Sequence, residues 1–351
     1  MSRVLITGAC GFCARHLADR LALDPETAVF GADIRRSEDA LSRLADFRQV
    51  DFTDSEAVSA LVADLRPDIV FHLAGAVRGR PESIYAANLL GGVNLLEAVK
   101  EYAAEARVIV AGSAAEYGHV PEEDMPITEE QACQPVGAYG ISKYALTLAC
   151  LEYARNSRNL PLTPSGTEGG GVPMRVSVVR PFNIIGAGVP ATLVVGAIIE
   201  RAKDAIVSGR DTVIVGNLDT YRDFVAVEDV VDAYIALAGV PDTPVGRPDT
   251  LVGQNLPLTP SETEGGGVPN GEVYNICSGK PTSIRFVVET LLSFAPRPLR
   301  PVVDPNLVRG TDVKTVYGSW KKARDAFGFE PKTDLTAALR SAWDAGSAVV
   351  R

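Results

Sequence analysis

The sequence predicts an α/β protein built on a doubly wound parallel sheet, with a smaller α/β portion C-terminal to it. Three observations carry this reading. In the first half, short β-branched runs alternate with longer amphipathic segments. A glycine-rich turn sits directly between the first run and the first amphipathic segment. After Arg180 the alternation loosens, and proline and glycine become frequent.

The elements follow in order. Strands are expected at 4–6, 29–32, 69–73, 108–111 and 175–179, and helices at 14–22, 56–65, 87–102 and 142–156. The strands are apolar throughout rather than alternating, which is the pattern of a parallel sheet covered by helices on both faces. Beyond residue 180, strands at 212–215 and 273–276 sit among helices, as expected for a smaller unit packed over the ligand end of the sheet.

One repeat interrupts this plan. NLPLTPSGTEGGGVP at 159–173 recurs as NLPLTPSETEGGGVP at 255–269, differing only at Gly166 against Glu262. Segments this rich in Gly, Pro, Thr and Ser do not form packed elements, and two separated copies do not make a solenoid. They read as near-identical inserted surface loops.

Composition sets the outer bounds. The chain has 351 residues, 46% hydrophobic and 22% charged, enough to bury a sizeable core without disulfides or metal staples. A net charge of −10 removes the electrostatic drive toward nucleic acid or an anionic membrane, so neither is an expected partner. No apolar run reaches the ~18–20 residues a membrane span needs. The opening run at 4–6 is only strand-length and turn residues follow at once, so no signal peptide is expected. The odd, scattered set Cys10, Cys13, Cys133, Cys150 and Cys277 reads as reduced thiols of a cytoplasmic protein.

The stretch TGACGFCARHL holds two overlapping patterns: Cys10-Gly-Phe-Cys13, and Gly8, Gly11 and Ala14 as G-x-x-G-x-x-A. The second has the context a dinucleotide turn requires, a strand before it and a helix after it. Gly8 permits the tight turn, Gly11 lets the backbone approach a pyrophosphate, and the small Ala14 lets helix and strand pack closely. The helix start then offers unpaired N–H groups to phosphate. Asp33 ends the second strand, where an acidic side chain accepts hydrogen bonds from ribose hydroxyls and favours NAD. Arg35 and Arg36 follow it and could hold a 2′-phosphate, so NADP stays open. Asp51 and Phe52, after the third strand, are placed to flank the adenine. A metal role for the cysteines lacks a second ligand pair, since His16, His72 and His119 offer no ligand spacing. A redox role is not excluded, because a helix start stabilises thiolate.

Tyr139 and Lys143, in YGISK, lie four residues apart and share one face of a helix start. A phenol with a pKa of ~10 is a poor acid–base group at neutral pH, and a neighbouring ammonium would lower that value.

Together these pieces resemble the extended short-chain dehydrogenase/reductases that act on nucleotide sugars. The matching segments are TGACGFCARHL, Asp51, HLAG at 72–75, Asn88, GSAAEYG at 112–118, YGISK, RPFNIIG at 180–186, YRDFVAVEDVVDAY at 221–234 and YNICSGKPTSI at 274–284. In this light His72 is a strand-end residue rather than a metal ligand. The resemblance implies a Rossmann sheet from residues 1–180 plus about 213–240, and a substrate domain from about 181–212 and 241–351. It implies Ser113, Tyr139 and Lys143 as catalytic residues. Cofactor contacts are implied at Gly8, Cys10, Gly11, Phe12, Cys13, Asp33, Arg35, Arg36, Asp51, Phe52, Leu73, Ala74, Gly75, Asn88 and Pro181, besides Tyr139 and Lys143. Substrate contacts are implied at Ala76, Val77, Ser113, Ala114, Ala115, Val194 and Asp312, with Asn183, Arg222 and Arg309 near the diphosphate. No metal is implied. The family also implies a homodimer through a four-helix bundle made by helices 87–102 and 142–156.

One departure narrows the reaction. Family members that eliminate water across C5 and C6 of the sugar carry acidic residues beside the Ser/Thr, where this chain has Ala114 and Ala115. Alanine can neither donate nor accept a proton, so a 4,6-dehydratase is disfavoured, Glu116 being the one remaining acid nearby. Hydride chemistry at C4 remains, as in 4-ketoreductases and 4-epimerases. GSAAEYG, VRPFNIIGAG and GNLDTYRDF most resemble the GDP-4-keto-6-deoxymannose reductases, so the expected activity is NAD(P)-dependent reduction of a nucleotide-diphospho-4-keto-6-deoxysugar. A 4-epimerase with tightly bound NAD and a non-catalytic dinucleotide-binding redox sensor are the alternatives.

Overall fold

The structure is a computed structural model that describes residues 2–37, 42–156, 174–239, 271–308 and 313–346. Both inserted loops, Arg309 and Asp312 lie outside the described residues.

The strands form one sheet, and all but the polar edge strand DFRQ are hydrophobic on both sides and need cover on both. They are β1 (Ser2–Thr7), β2 (Thr27–Asp33), β3 (Asp46–Gln49), β4 (Ile69–His72), β5 (Arg107–Ala111) and β6 (Arg175–Pro181). A seventh strand, β11 (Glu272–Ile276), closes one edge. The order is β11-β6-β5-β4-β1-β2-β3, parallel throughout. The chain reverses its winding between β1 and β4, so the crevice at their C-terminal ends is the binding position such a sheet creates.

Helices cover both faces. α1 (Phe12–Leu21) and α7 (Val227–Ala238) bury Leu17, Leu21, Val230 and Tyr234 on one side. α2 (Ser55–Leu65), α4 (Gly91–Tyr102) and α5 (Gly137–Asn156) bury Val58, Leu95, Val99 and Leu146 on the other. A separate core under α6 (Val194–Val207), α8 (Ile284–Ser293) and α10 (Leu335–Gly346) supports the smaller portion.

Four expectations change. The helix expected over 87–102 is two pieces, a π-helical segment Ala86–Leu90 and α4, preceded by a short helix α3 (Pro81–Tyr85). The helix expected from residue 142 begins at Gly137, whose φ of 76° suits glycine. The first helix begins at Phe12 rather than 14. The boundaries also move. β8 (Thr212–Val215) pairs with β13 (Arg300–Val303) outside the main sheet, although residues from about 213 were assigned to the dinucleotide-binding domain. β11 joins the main sheet, although 241–351 was expected outside it. Sequence order hides both pairings, because each joins strands far apart along the chain.

Candidate active site

The site grows from the ends of β1, β4, β5 and β6. Gly8 leaves β1 with φ 68°, and a Cβ there would lie 2.7 Å from the Ala74 backbone. Only glycine allows both that conformation and the close approach of the β1 and β4 exits. Gly11 caps α1 without any side-chain hydrogen bond, so the first amides of the helix have no side-chain cap. That is the donor set a pyrophosphate takes, and the residues present therefore fit a dinucleotide.

Asp33 is buried, and its carboxylate takes Cys10 N at 3.0 Å and Arg35 N at 2.9 Å. It ties the glycine turn to the end of β2 while each oxygen keeps a second lone pair. Arg35 and Arg36 are exposed beside it. Asp51 is exposed and accepts from Thr53 N and Oγ1. Phe52 is buried, its ring centroid 6.1 Å from that of His72 and its backbone and Cβ against Gly91.

The C-x-x-C thiols are both free, and neither is activated. Burial pushes Cys13 up to about 12 and raises Cys10, with Asp33 adding to the second. Desolvation outweighs the helix start, which removes the thiolate a redox pair requires. Among the described residues no cluster of His, Cys, Asp and Glu could hold a metal. His72 is a buried strand-end side chain 2.8 Å from Thr7 Oγ1, lowered to about 3 by burial and by the Lys143 charge.

Asn88 sits in the π-helical segment, fully buried. The extra residue in that turn aims its amide at the loop after β4. Its Oδ1 accepts from Ala76 N at 2.6 Å, and its Nδ2 donates to Ala76 O and Ser142 Oγ, both at 2.9 Å. Leu73 and Ala74 are anchored to Thr7, and Gly75 lies where a Cβ would strike Asn88 Oδ1 at 2.7 Å. Val77 is exposed.

Ser113 caps the short 3₁₀ turn Ala114–Glu116, its Oγ accepting from Ala115 N at 3.1 Å. Its hydroxyl also faces the Tyr139 phenol, which puts the two groups side by side. Tyr139 and Lys143 lie in the first two turns of α5. Lys143 Nζ donates to Ala111 O at 2.8 Å, and burial lowers its pKa to about 8, partly offset by Glu116. The expected depression of the Tyr139 pKa is not found. Burial raises it, the Ser113 hydroxyl opposes that, and Lys143 is turned to Ala111 instead. The phenol is thus held protonated.

Glu116 is 0% exposed and points away from this pocket: Oε1 accepts from Ser113 N, and Oε2 from Thr147 Oγ1 and Arg180 Nε, each at 2.8 Å. It cannot reach a sugar, so the dehydratase reading that relied on it loses its acid. Ala114 is partly buried and Ala115 exposed.

On the far side, Pro181 ends β6 in the core and Asn183 donates through N and Nδ2 to Asp223 O, at 3.1 and 2.7 Å. Val194 opens α6, 42% exposed. Arg222 Nη1 donates to Tyr221 O and Val313 O, which fixes the guanidinium against these two carbonyls. Asp223 was overlooked in the sequence. Its buried carboxylate takes Ser278 N and Oγ, Gly279 N and Gly318 N, and so gathers three segments under Arg222. A charged residue between two strand residues in YRDF was the available signal.

Comparison with known proteins agrees with this geometry. The chain is 30% identical over 348 residues to the GDP-6-deoxy-D-mannose reductase of Pseudomonas aeruginosa, covering 97% of this chain and 95% of that one. It is 25% identical to the UDP-glucose 4-epimerase of Mycolicibacterium smegmatis, covering 96% of each chain. The solved structure of RMD from P. aeruginosa complexed with NADPH superposes with a TM-score of 0.73 at 27% identity, over 99% of this chain and 100% of that one. The profile of the NAD dependent epimerase/dehydratase family matches residues 4–253, and the chain belongs to that family, whose relatives here are extended short-chain reductases and epimerases of nucleotide sugars.

Proposed function

We propose that the protein reduces the 4-keto group of a nucleotide-diphospho-4-keto-6-deoxyhexose, using NADH or NADPH. The supporting observation is the set Ser113, Tyr139 and Lys143 at the sheet crevice, with the neighbouring Glu116 carboxylate bound to Ser113, Thr147 and Arg180 rather than free to drive an elimination. The similarity over 97% of the chain to a GDP-6-deoxy-D-mannose reductase favours reduction.

The glycine turn, Asp33, the loop 73–77 and Asn88 would hold the dinucleotide, with Arg35 and Arg36 toward its adenosine end. The cofactor supplies a hydride to the sugar C4 when bound. Tyr139 delivers a proton to the C4 oxygen, and Ser113 donates a hydrogen bond to the same oxygen. Lys143 contributes positive charge at the nicotinamide ribose. Arg222, with Arg309, pairs with the diphosphate, for which a planar guanidinium is the suited partner. Asn183, Ala76, Val77, Ala114, Ala115, Val194 and Asp312 complete the substrate side.

The second reading is a 4-epimerase, favoured by the likeness to a UDP-glucose 4-epimerase. Denaturing the purified protein and identifying the released nucleotide separates the two. Little retained cofactor, with NADH or NADPH consumed when GDP- or dTDP-4-keto-6-deoxysugars are added, is the expected result. One NAD retained per chain, without net consumption, would replace reduction by internal hydride recycling.

We further infer a homodimer through the π segment with α4 and α5. Tyr85, Leu89, Leu90 and Val93 line an apolar depression there, and Leu90 and Leu148 are 48% and 50% exposed. Burying that surface is favourable at ~25 cal/mol per Å². Light scattering is expected to give the dimer mass, and a monomer at micromolar concentration would remove the inference. All five cysteines are unbridged, which supports a cytoplasmic setting.

A further inference from the structure

Glu116 is a buried ionised group that the proposed chemistry does not use. It is fully buried, and its carboxylate reaches three elements at once. Oε1 takes the backbone N–H of Ser113, at the end of β5. Oε2 takes Thr147 Oγ1, which lies one turn after Lys143 on the same face of α5. Oε2 also takes Arg180 Nε, near the end of β6, in an ion pair whose side chains are 4% and 0% exposed. Gly112 is glycine for this reason: a Cβ there would lie 2.4 Å from Glu116 Oε1.

We propose that Glu116 is a positioning residue: its carboxylate, neutralised by Arg180, fastens the Ser113 turn to the helix carrying Tyr139 and Lys143, and sets the field at both. The fastening is direct. Thr147 Oγ1 is held by one carboxylate oxygen of Glu116, and the Ser113 amide by the other. Loss of either lets the turn and the helix shift relative to one another. A displacement of an ångström in such a site costs on the order of 100-fold in rate.

The field follows from the same placement. The negative charge of Glu116 raises both Lys143 and Tyr139. Other groups face them from every side. Cys150 lies on α5 itself, His72 on β4, Cys13 on α1, Tyr234 on α7, and Arg180 on β6 behind Glu116. Of these, Glu116 is the one carboxylate acting on both residues. Removing its charge therefore lowers both pKa values, and the uncompensated positive charge of Arg180 pushes the same way.

The inference rests on the reductase reading only for its rate readout, so the test carries a second one. Dinucleotide affinity, followed by NADPH fluorescence between pH 6 and 10, needs no sugar and reports Lys143. In the native protein it is expected to weaken as the ammonium is lost near pH 8. In Glu116→Gln the midpoint should move to lower pH. In Thr147→Val, which leaves the charge in place, the midpoint should stay while kcat falls on the order of 10- to 100-fold. A folded Glu116→Gln with an unmoved midpoint, or a native profile flat across this range, overturns the proposal. Should Glu116→Gln not fold, Thr147→Val with native kcat overturns it instead. A native protein that turns over no 4-keto sugar refutes the reductase reading and leaves the affinity midpoint to decide this one.

Discussion

Tyr139→Phe is expected to lower kcat for 4-keto sugar reduction by roughly 10²- to 10⁴-fold, the usual contribution of a positioned general acid. Dinucleotide affinity should be little changed, because the ring remains in place and only the hydroxyl is lost. The burial that raises the Tyr139 pKa makes this loss directional. A reductase needs the neutral phenol as proton donor, and here the phenol stays protonated across the physiological range. The pH profile in the reducing direction should then be governed by Lys143. Its ammonium is present below a pKa of about 8 and lost above it, so rate should fall as pH rises through that value. Stopped-flow consumption of NADPH at saturating sugar measures both effects. Near-native turnover in Tyr139→Phe would remove Tyr139 from the chemistry.

How much of this was legible in the sequence depended on the distance over which each feature is set. The glycine turn, Asp33 and the Tyr139–Lys143 spacing are local. Each follows from a strand exit or a helix turn of known period, and each lands where those periods put it. The features that escaped are set by side chains far apart in the chain. Glu116 meets Arg180 across 64 residues and Thr147 across 31, so its burial had no signature in GSAAEYG. Phe52 reads as a residue flanking the adenine after a strand, and only its packing with His72 in the folded chain shows that the side chain is core. The π turn at Asn88 inserts a residue into an otherwise regular helical pattern, and periodicity over a single turn does not resolve that. The Tyr139 pKa was misjudged for a similar reason. Proximity in sequence promised a Lys143 contact, but the lysine reaches Ala111 O, leaving burial as the larger influence.

Arg180→Met is expected to destabilise the fold by about 3–5 kcal/mol, far more than loss of any exposed ion pair. The reason lies in what is left behind. Arg180 donates Nε to Glu116 and stacks its guanidinium 4.7 Å from the Tyr117 ring centroid. Burial pulls the Arg180 pKa down, and the adjacent Glu116 carboxylate overrides this and holds it above its usual value. Remove the cation and a fully buried carboxylate loses its counter-charge, while its bonds to Ser113 N and Thr147 Oγ1 compensate only in part. Exposed pairs such as Arg285–Asp219, with side chains 49% and 79% accessible, contribute little because water screens them. Arg285→Met is therefore the control, and urea midpoints of the two variants give the comparison. The double variant Arg180→Met with Glu116→Gln should recover much of the loss, since an uncharged pair leaves no buried charge unpaired. If Arg180→Met unfolds at the same urea concentration as Arg285→Met, the pair is not the structural centre of the site. Recovery in the double variant without recovery of turnover would instead show that the charge on Glu116 serves the chemistry rather than the fold.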